Sequence, residues 1–218
     1  MSLVTVITPT LACRQEKLLR AIDSVQAQTF RDFDHLVIPN ENDPQLAALL
    51  GKLPQTRVVP LGKPHPTPGH WNRVLGGLLA TSPFIAYLDD DNTWRPRHLE
   101  VLVGALNAHP EAGFAYAKLA YPDGRVLGDG ILYPGHVVEC IDASMFVHRA
   151  ELLTGIATWD PHMAPTELRY ALDGFLVDAW VRASVNYAFV DEVTVDYPQV
   201  GYWLDGGGAT PAPLARSH

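Results

Sequence analysis

Short apolar runs alternate with stretches of helical spacing over the first half of the chain. Leu3 to Thr8 and Phe33 to Ile38 are apolar runs with β-branched residues, which is typical of buried parallel strands. Between them, residues 15–26 place four apolar side chains at the spacing of a helix face. The alternation continues with helices predicted at 45–50 and 70–79 and strands predicted at 57–60 and 84–88. This pattern predicts a parallel sheet with helices on both faces.

The second half of the chain departs from this regular alternation. Helices are predicted at 97–109, 149–155 and 173–184, and strands at 113–121, 137–147 and 186–195. Residues 122–125 have the composition of a β-turn, so part of this half is expected to pair antiparallel. The expected fold class is therefore α/β: a mainly parallel, Rossmann-like sheet flanked by helices, with a mixed antiparallel C-terminal part.

A chain of 218 residues is long enough to bury a substantial core. We expect one domain over residues 1–197, with a first half at about 1–110 and a second at about 111–197, because no boundary divides the pattern. Residues 198–218 are rich in glycine and proline, and they are predicted to form a mobile tail or a lid.

Charge and composition exclude several classes of protein. The formal net charge of −8 argues against sequence-independent binding of nucleic acid, which requires a basic surface. No apolar run approaches the ~20 residues of a transmembrane segment, and the N-terminus has no signal-peptide pattern, so a cytoplasmic location is expected. Cys13 and Cys140 have no CxxC spacing, so neither a zinc site nor a disulfide framework is indicated.

Three consecutive acidic residues, Asp89, Asp90 and Asp91, follow the predicted strand at 84–88; they are called the aspartate cluster below. Adjacent like charges raise one another's pKa, so such a cluster is unfavourable on its own. A divalent cation removes this penalty, and carboxylate oxygens suit Mg²⁺ or Mn²⁺. Acidic residues before a helix can also serve only as turn and capping residues, and that alternative stays open at this point.

Two further polar residues follow predicted strands. Thr10 comes after the first strand and Asn40 after the second. In open parallel sheets, ligands bind beyond the carboxyl ends of the strands. We therefore expect Thr10, Asn40 and the aspartate cluster to lie together around one binding site.

Three segments of the chain resemble family 2 glycosyltransferases with the GT-A fold. They are VTVITPT at 4–10, SVQAQTFRDFDHLVI at 24–38, with its QTF phrase, and FIAYLDDDNTWRPRHLEVLVGAL at 84–106. The resemblance implies the GT-A fold and the inverting transfer of a sugar from a nucleotide-diphosphate donor, a UDP, GDP or dTDP sugar, to an unknown acceptor hydroxyl. It also implies Mn²⁺ or Mg²⁺ as the cofactor.

The resemblance assigns roles to residues around the aspartate cluster, which corresponds to the family's DxD motif. Asp91 matches the last aspartate of that motif and is expected to bind the metal together with Asp89. Asp89 and Asp90 are also expected to contact the nucleotide sugar. Pro9 and Thr10 match the dipeptide that the family places beside the nucleobase.

Two positions depart from the family pattern. Asn40 stands where the family usually has an aspartate that bonds to uracil, and Leu11 replaces a frequent aromatic residue. These departures leave the base of the donor open. Arg73 matches the second residue of an Asn-Arg pair at a helix start and is expected to face the diphosphate.

Inverting transfer needs a general base that takes the proton of the acceptor hydroxyl. The family places an aspartate at the start of a helix that continues toward Trp and Arg, and Asp173 occupies that place before Trp180. Asp178 is the alternative, because the interval from Asp173 to Trp180 is longer than usual. Glu139 and Asp142 are expected to line the acceptor side.

Two other functions remain open for this sequence. Residues 89–93 spell DxDxT, the nucleophile loop of haloacid-dehalogenase-type phosphatases. Those enzymes place the loop after the first strand and require a downstream lysine, whereas here it follows the fourth predicted strand. The second alternative is a non-catalytic module that binds a sugar nucleotide without turnover. A homodimer is a further expectation for the chain.

Overall fold

A computed structural model describes residues 2–11, 14–63, 69–137, 140–155, 157–159 and 171–198. The predicted tail or lid at 198–218 lies outside these ranges except for Pro198. Among the residues that the structure covers, no helix combines the length and the apolar character that a bilayer span requires.

Nine strands and six helices occur within the described ranges. The strands are β1 (Val4–Thr10), β2 (Phe33–Pro39), β3 (Thr56–Val58), β4 (Phe84–Tyr87), β5 (Thr93–Trp94), β6 (Ala112–Ala120), β7 (Val126–Leu127), β8 (Phe146–Arg149) and β9 (Asn186–Asp196). The helices are α1 (Gln15–Gln26), α2 (Pro44–Leu50), α3 (His70–Leu79), α4 (His98–Ala108), α5 (Glu151–Gly155) and α6 (Leu172–Arg182). A 3-10 turn covers Ala143–Met145.

The strands form one mixed sheet in the order β3-β2-β1-β4-β8-β6-β9-β5, with β7 paired to β6. β1 lies parallel between β2 and β4, and β3 continues the parallel part beside β2. β8 then runs antiparallel to both β4 and β6. The predicted α/β class is confirmed, with a parallel N-terminal part and a mixed C-terminal part.

The parallel part places three strand ends side by side. All seven residues of β1 are buried, as expected for the central strand of a sheet that is covered on both faces. α3 packs closely against β1, because a Cβ atom at Gly76 would lie 2.6 Å from a side-chain carbon of Ile7. Near the start of α3, Asn72 Nδ2 donates a hydrogen bond to the Ile38 carbonyl (2.6 Å), which holds this end of the helix close to the carboxyl end of β2.

The QTF phrase, residues 28–30 just after α1, has a structural role. The buried Gln28 side chain accepts a hydrogen bond from the Leu99 backbone N–H (3.0 Å) and donates one to the Arg95 carbonyl (2.9 Å). The Thr29 N–H donates to the Pro96 carbonyl (2.8 Å). The end of α1 is therefore joined to the start of α4, on the segment that directly follows the aspartate cluster.

The predicted strand at 137–147 is wrong for most of its described length. Only Phe146–Arg149 forms a strand, and residues 143–145 form the 3-10 turn. An oxygen of Asp142 accepts a hydrogen bond from the Ser144 N–H (2.8 Å), so this acid caps a turn where an extended strand was expected. Conversely, the short strand β5, which pairs antiparallel with the end of β9, was not predicted.

Candidate functional site

The carboxyl ends of β1, β2 and β4 meet at one edge of the sheet. The Thr10 hydroxyl donates a hydrogen bond to Asp90 Oδ2 (2.7 Å), and the Asn40 backbone N–H donates to the Thr10 carbonyl (3.1 Å). All three residues are buried. The structure therefore brings Thr10, Asn40 and the aspartate cluster together, as the strand order requires.

Asp90 is the most enclosed acid of the cluster, at 3% exposed. Besides Thr10, it contacts Arg14, whose Nη1 lies 2.9 Å from Asp90 Oδ1. Arg14 directly precedes α1 and was not predicted as a site residue. A charged residue from the β1–α1 connection thus reaches across to the end of β4.

Asp89 lies on the other side of the cluster and pairs with Arg73. The Arg73 side chain projects from the first turn of α3 and is buried, with its guanidinium carbon 4.8 Å from the centroid of the Trp159 ring. The Asp89 backbone N–H donates to the Ser144 hydroxyl (3.2 Å). Arg73 therefore faces the aspartate cluster from α3.

Asp91 is partly buried beside the other two acids. Burial, and after it the charges of Asp89 and Asp90, raise the pKa of Asp91 to about 6. Arg14 Nη1 lies 3.4 Å from Asp91 Oδ2 and opposes this rise, as does Lys17. The neighbouring negative charges thus add to the effect of burial in raising the pKa of Asp91, in the direction expected for adjacent acids.

A polar network links the cluster to the 3-10 turn. Asn92 Nδ2 donates to the Ser144 hydroxyl (2.8 Å) and to Asp142 Oδ1 (3.2 Å). Burial, together with the charges of Asp89 and Asp173, raises the pKa of Asp142 well above its ordinary value. Asp142 therefore lies next to the aspartate cluster. Glu139, the other acid predicted there, lies outside the described residues.

Asp173 lies in the first turn of α6, close enough to the cluster to interact with it electrostatically. Its carboxylate accepts hydrogen bonds from the backbone N–H groups of Ala143 (3.0 Å) and Gly174 (2.9 Å). Burial raises the pKa of Asp173 to about 6, the Asp89 charge adds to the rise, and Arg73 opposes it. The carboxylate is thus oriented by fixed donors and has the pKa of an effective base near neutral pH.

Asp178 has a different environment one and a half turns further along α6. Its carboxylate accepts a hydrogen bond from the Gly135 N–H (2.7 Å) and pairs with Arg182 four residues later. These contacts hold the 133–137 segment and the helix together. They give Asp178 a structural role.

Carboxylates outnumber arginines in this site. Five acids lie close enough to interact electrostatically: Asp89, Asp90, Asp91, Asp142 and Asp173. In the described part of the chain, the guanidinium groups that pair with acids of this group are those of Arg14 and Arg73. Within the described ranges, no three His, Cys, Asp or Glu side chains are arranged to enclose a metal. The residues fit a hard cation that uses one or two carboxylates and completes its coordination with water and substrate phosphates, which is how Mg²⁺ is commonly bound.

Asn40 carries a buried polar atom that lacks a protein partner. Its side-chain oxygen, Oδ1, has no hydrogen-bond partner among the described residues, and the residue is 5% exposed. Such an atom costs free energy unless it is satisfied. Asn40 lies beside Thr10 at the strand ends, so a bound ligand at this edge of the sheet can satisfy its side-chain oxygen.

Comparison with known proteins matches residues 5–130 to the family described as Glycosyl transferase family 2. The chain is 38% identical over 103 residues to the succinoglycan biosynthesis protein ExoW of Rhizobium meliloti (strain 1021), a match that covers 45% of this chain and 32% of ExoW. It is 29% identical over 133 residues to an uncharacterized glycosyltransferase of Acanthamoeba polyphaga mimivirus, covering 53% and 54% of the two chains. The matches thus span about a third to a half of these relatives.

The fold has counterparts among solved structures. The S. aureus TarS 1–349 complex with UDP superposes with a TM-score of 0.71 at 17% identity, covering 91% of this chain and 61% of TarS. The TarS 1–349 complex with UDP-GlcNAc gives a TM-score of 0.68 at 15% identity, covering 92% and 59%. At this identity the likeness establishes the fold. Because the family match covers more than half of its length, the chain belongs to glycosyl transferase family 2.

Proposed function

We propose that this protein is a nucleotide-sugar glycosyltransferase that transfers a sugar, with inversion, to an acceptor hydroxyl in a metal-dependent reaction. The observation that carries the proposal is the convergence of Thr10, Asp90 and Arg73 at one edge of the sheet, together with the family match. Family membership disfavours the phosphatase alternative, whose nucleophile loop would also have to follow the first strand.

The donor is expected to lie across the ends of β1, β2 and β4. Thr10 and Asn40 flank the place of the nucleobase, and Arg73 faces the diphosphate from α3. TarS has been solved with UDP and with UDP-GlcNAc, so UDP is the first nucleotide to test here. An asparagine amide both donates and accepts hydrogen bonds, so Asn40 is compatible with more than one base.

Asp91, together with Asp89, is the proposed holder of Mn²⁺ or Mg²⁺. When bound, such a metal stabilises the negative charge that develops on the departing nucleoside diphosphate. Arg73 supplies a fixed positive charge beside the same group, because its guanidinium is held by Asp89 and by the face of Trp159. This preorganised charge supports departure of the diphosphate.

Asp173 is the proposed general base. The acceptor oxygen attacks the anomeric carbon, the bond from that carbon to the diphosphate oxygen breaks, and the hydroxyl proton passes to the Asp173 carboxylate. The two backbone N–H donors at Ala143 and Gly174 keep that carboxylate oriented. In-line attack from the side opposite the diphosphate inverts the anomeric configuration.

A thermal-shift panel tests the donor site. UDP, GDP, CDP and dTDP are added to the wild type, to Asp91→Ala and to Asp123→Ala, each with and without Mn²⁺. At least one nucleotide should raise the wild-type melting temperature only when Mn²⁺ is present, because a ligand that binds the native state stabilises it. Asp91→Ala should lose this response. Asp123→Ala, which removes an exposed acid from the 122–125 turn, should keep it.

Release of nucleoside diphosphate separates an enzyme from a binding module. The wild type is incubated with Mn²⁺ and with sugar donors that carry the nucleotide found in the thermal-shift panel. It should release the nucleoside diphosphate slowly by hydrolysis. Release should be faster when a suitable acceptor is present. Nucleotide binding without any release would identify the non-catalytic alternative. Absence of any thermal response would contradict the proposed donor site.

A further inference from the structure

Arg14 occupies the side of the aspartate cluster that faces α1. Its Nη1 lies 2.9 Å from Asp90 Oδ1 and 3.4 Å from Asp91 Oδ2. The Arg14 side chain is 21% exposed, while those of Asp90 and Asp91 are 4% and 12% exposed. One guanidinium thus bridges two largely enclosed carboxylates, and one of these is the proposed metal ligand.

A cation on Asp91 has to share that carboxylate with Arg14. The guanidinium is always protonated in proteins, so it opposes the approach of a second positive charge to the same oxygens. The Asp90 carboxylate is less free to turn toward a metal, because the Thr10 hydroxyl also donates a hydrogen bond to it. The aspartate cluster is therefore partly neutralised by the protein's own cation.

A diphosphate changes this balance. It brings additional negative oxygens to the metal, and it also offers the guanidinium an anionic partner whose geometry suits arginine. Arg14 lies on the short β1–α1 connection, next to the strand end that is expected to face the nucleotide. The same side chain can then neutralise the diphosphate in place of Asp91.

We propose that Arg14 is a positioning residue that makes metal binding depend on the nucleotide: it holds Asp90 and Asp91 and weakens their affinity for a divalent cation until a nucleoside diphosphate is bound. This inference rests on the proposed metal-dependent function. It predicts that metal and nucleotide bind together with strong positive coupling, and that removal of the Arg14 charge weakens this coupling.

Titration of free Mn²⁺ followed by electron paramagnetic resonance tests the inference without any measurement of activity. In the absence of nucleotide, Arg14→Gln should bind Mn²⁺ about tenfold more tightly than the wild type, because one positive charge has left the cluster. Arg20→Gln removes the same charge from the exposed side of α1, and it should match the wild type. Arg14→Lys, which keeps the charge, should also stay close to the wild type.

Repeating the titration with UDP gives the coupling. UDP should increase the Mn²⁺ affinity of the wild type by a larger factor than that of Arg14→Gln. If Arg14→Gln binds Mn²⁺ alone as tightly as the wild type or more weakly, the inference is overturned, because loss of the Arg14 charge should tighten this binding. A merely structural defect would weaken it. If no protein binds Mn²⁺ even with each nucleotide of the panel, metal dependence and this inference both fail. If the UDP–Mn²⁺ complex forms but Arg14→Gln changes nothing, only the inference fails.

Discussion

The two aspartates of α6, Asp173 and Asp178, have the same side chain but different hydrogen-bond and ion-pair partners. In the described part of the chain, Asp173 accepts hydrogen bonds from two backbone N–H groups, and it interacts electrostatically with Asp89. Asp178 is paired with Arg182 and with the Gly135 N–H. The first arrangement leaves a carboxylate that interacts electrostatically with Asp89 of the cluster, whereas the second one joins a helix to a neighbouring segment.

The pKa of Asp173 predicts the pH dependence of transfer. The base works when deprotonated, and burial raises its pKa to about 6. The rate should therefore rise as pH increases through about 6 and level off above it. Asp173→Asn should lower the rate by about 10²–10⁴-fold, the usual contribution of a general base, and retain nucleotide binding. Measurement of kcat against pH at saturating donor checks this, and full activity of Asp173→Asn would show that another group is the base.

Asp178→Ala should lower stability and leave nucleotide binding intact. The substitution leaves the Gly135 N–H without its partner and removes the pair to Arg182. The expected loss is about 1–3 kcal/mol in the free energy of unfolding, measured by urea denaturation. An Asp178→Ala protein of unchanged stability that lost transfer would instead assign the base to Asp178.

Residues at strand ends were predictable, and residues that reach across from loops were not. Thr10, Asn40 and the aspartate cluster were found because a buried strand directly precedes each of them. Arg14 was missed because nothing in its local sequence indicates that its side chain crosses to the end of β4. The tertiary partners of Asp173 and Asp178, which support the proposal that Asp173 is the base, could not be predicted from the sequence.

At the scale of elements, the contact of α3 with β1 controls the geometry of the site. α3 carries Arg73 and β1 carries Thr10, and Gly76 lets the two elements approach. The absence of a side chain at Gly76 thus determines how closely Arg73 can come to the strand ends.

Gly76→Ala should destabilise the protein by about 1–3 kcal/mol, because a methyl group at this position overlaps the Ile7 side chain. The matched control is Gly104→Ala in α4, where an added Cβ would lie within 4 Å of no atom of the described residues outside the helix's own backbone. That substitution should stabilise the protein by up to about 1 kcal/mol through helix propensity. Denaturation curves of both variants check the pair. Equal effects would contradict the close contact of α3 with β1.

The elements of the first half were predictable because each has a clear period and clear ends. The predicted strand at 137–147 failed because apolar residues there follow no strand period, and Asp142 ends the extended stretch by capping a turn. β5 was missed because its two residues are fixed by pairing with β9, a contact between positions about 100 residues apart. Long-range pairing of this kind leaves little local signal.

At the scale of the whole molecule, three histidines within the described ranges are fully buried, and burial lowers the pKa of each: His35, His98 and His148. Burial lowers the pKa of His98 to about 3, and its Nδ1 lies 2.7 Å from the Thr194 hydroxyl. His98 also stacks on Trp94, with ring centroids 4.3 Å apart. This histidine thus links α4 to β9 and to the segment after the aspartate cluster.

His98 should make stability depend on pH in a defined direction. Its folded pKa is lowered, so the stability it contributes is present above its unfolded pKa of about 6.5 and is lost as pH falls toward its folded value. The stability advantage of the wild type over His98→Gln should therefore shrink by about 2 kcal/mol between pH 7 and pH 5. Denaturation at both pH values checks this. An advantage that grows at pH 5 would contradict a neutral buried imidazole.

The candidate site needs both halves of the sheet. β1, β2 and β4 supply Thr10, Asn40 and the aspartate cluster, while the C-terminal part supplies Asp142 and Asp173. Donor groups and the proposed base thus come from segments more than 160 residues apart in sequence.

A crystal structure of the protein with Mn²⁺ and UDP, with anomalous diffraction used to locate manganese, would show whether the aspartate cluster binds a metal that in turn binds the donor's diphosphate. One anomalous peak is expected at coordination distance from an Asp91 oxygen and from the diphosphate, with the uracil beside Thr10 and Asn40. A manganese peak away from Asp91, or a diphosphate bound elsewhere than at the ends of β1 and β4, would contradict it.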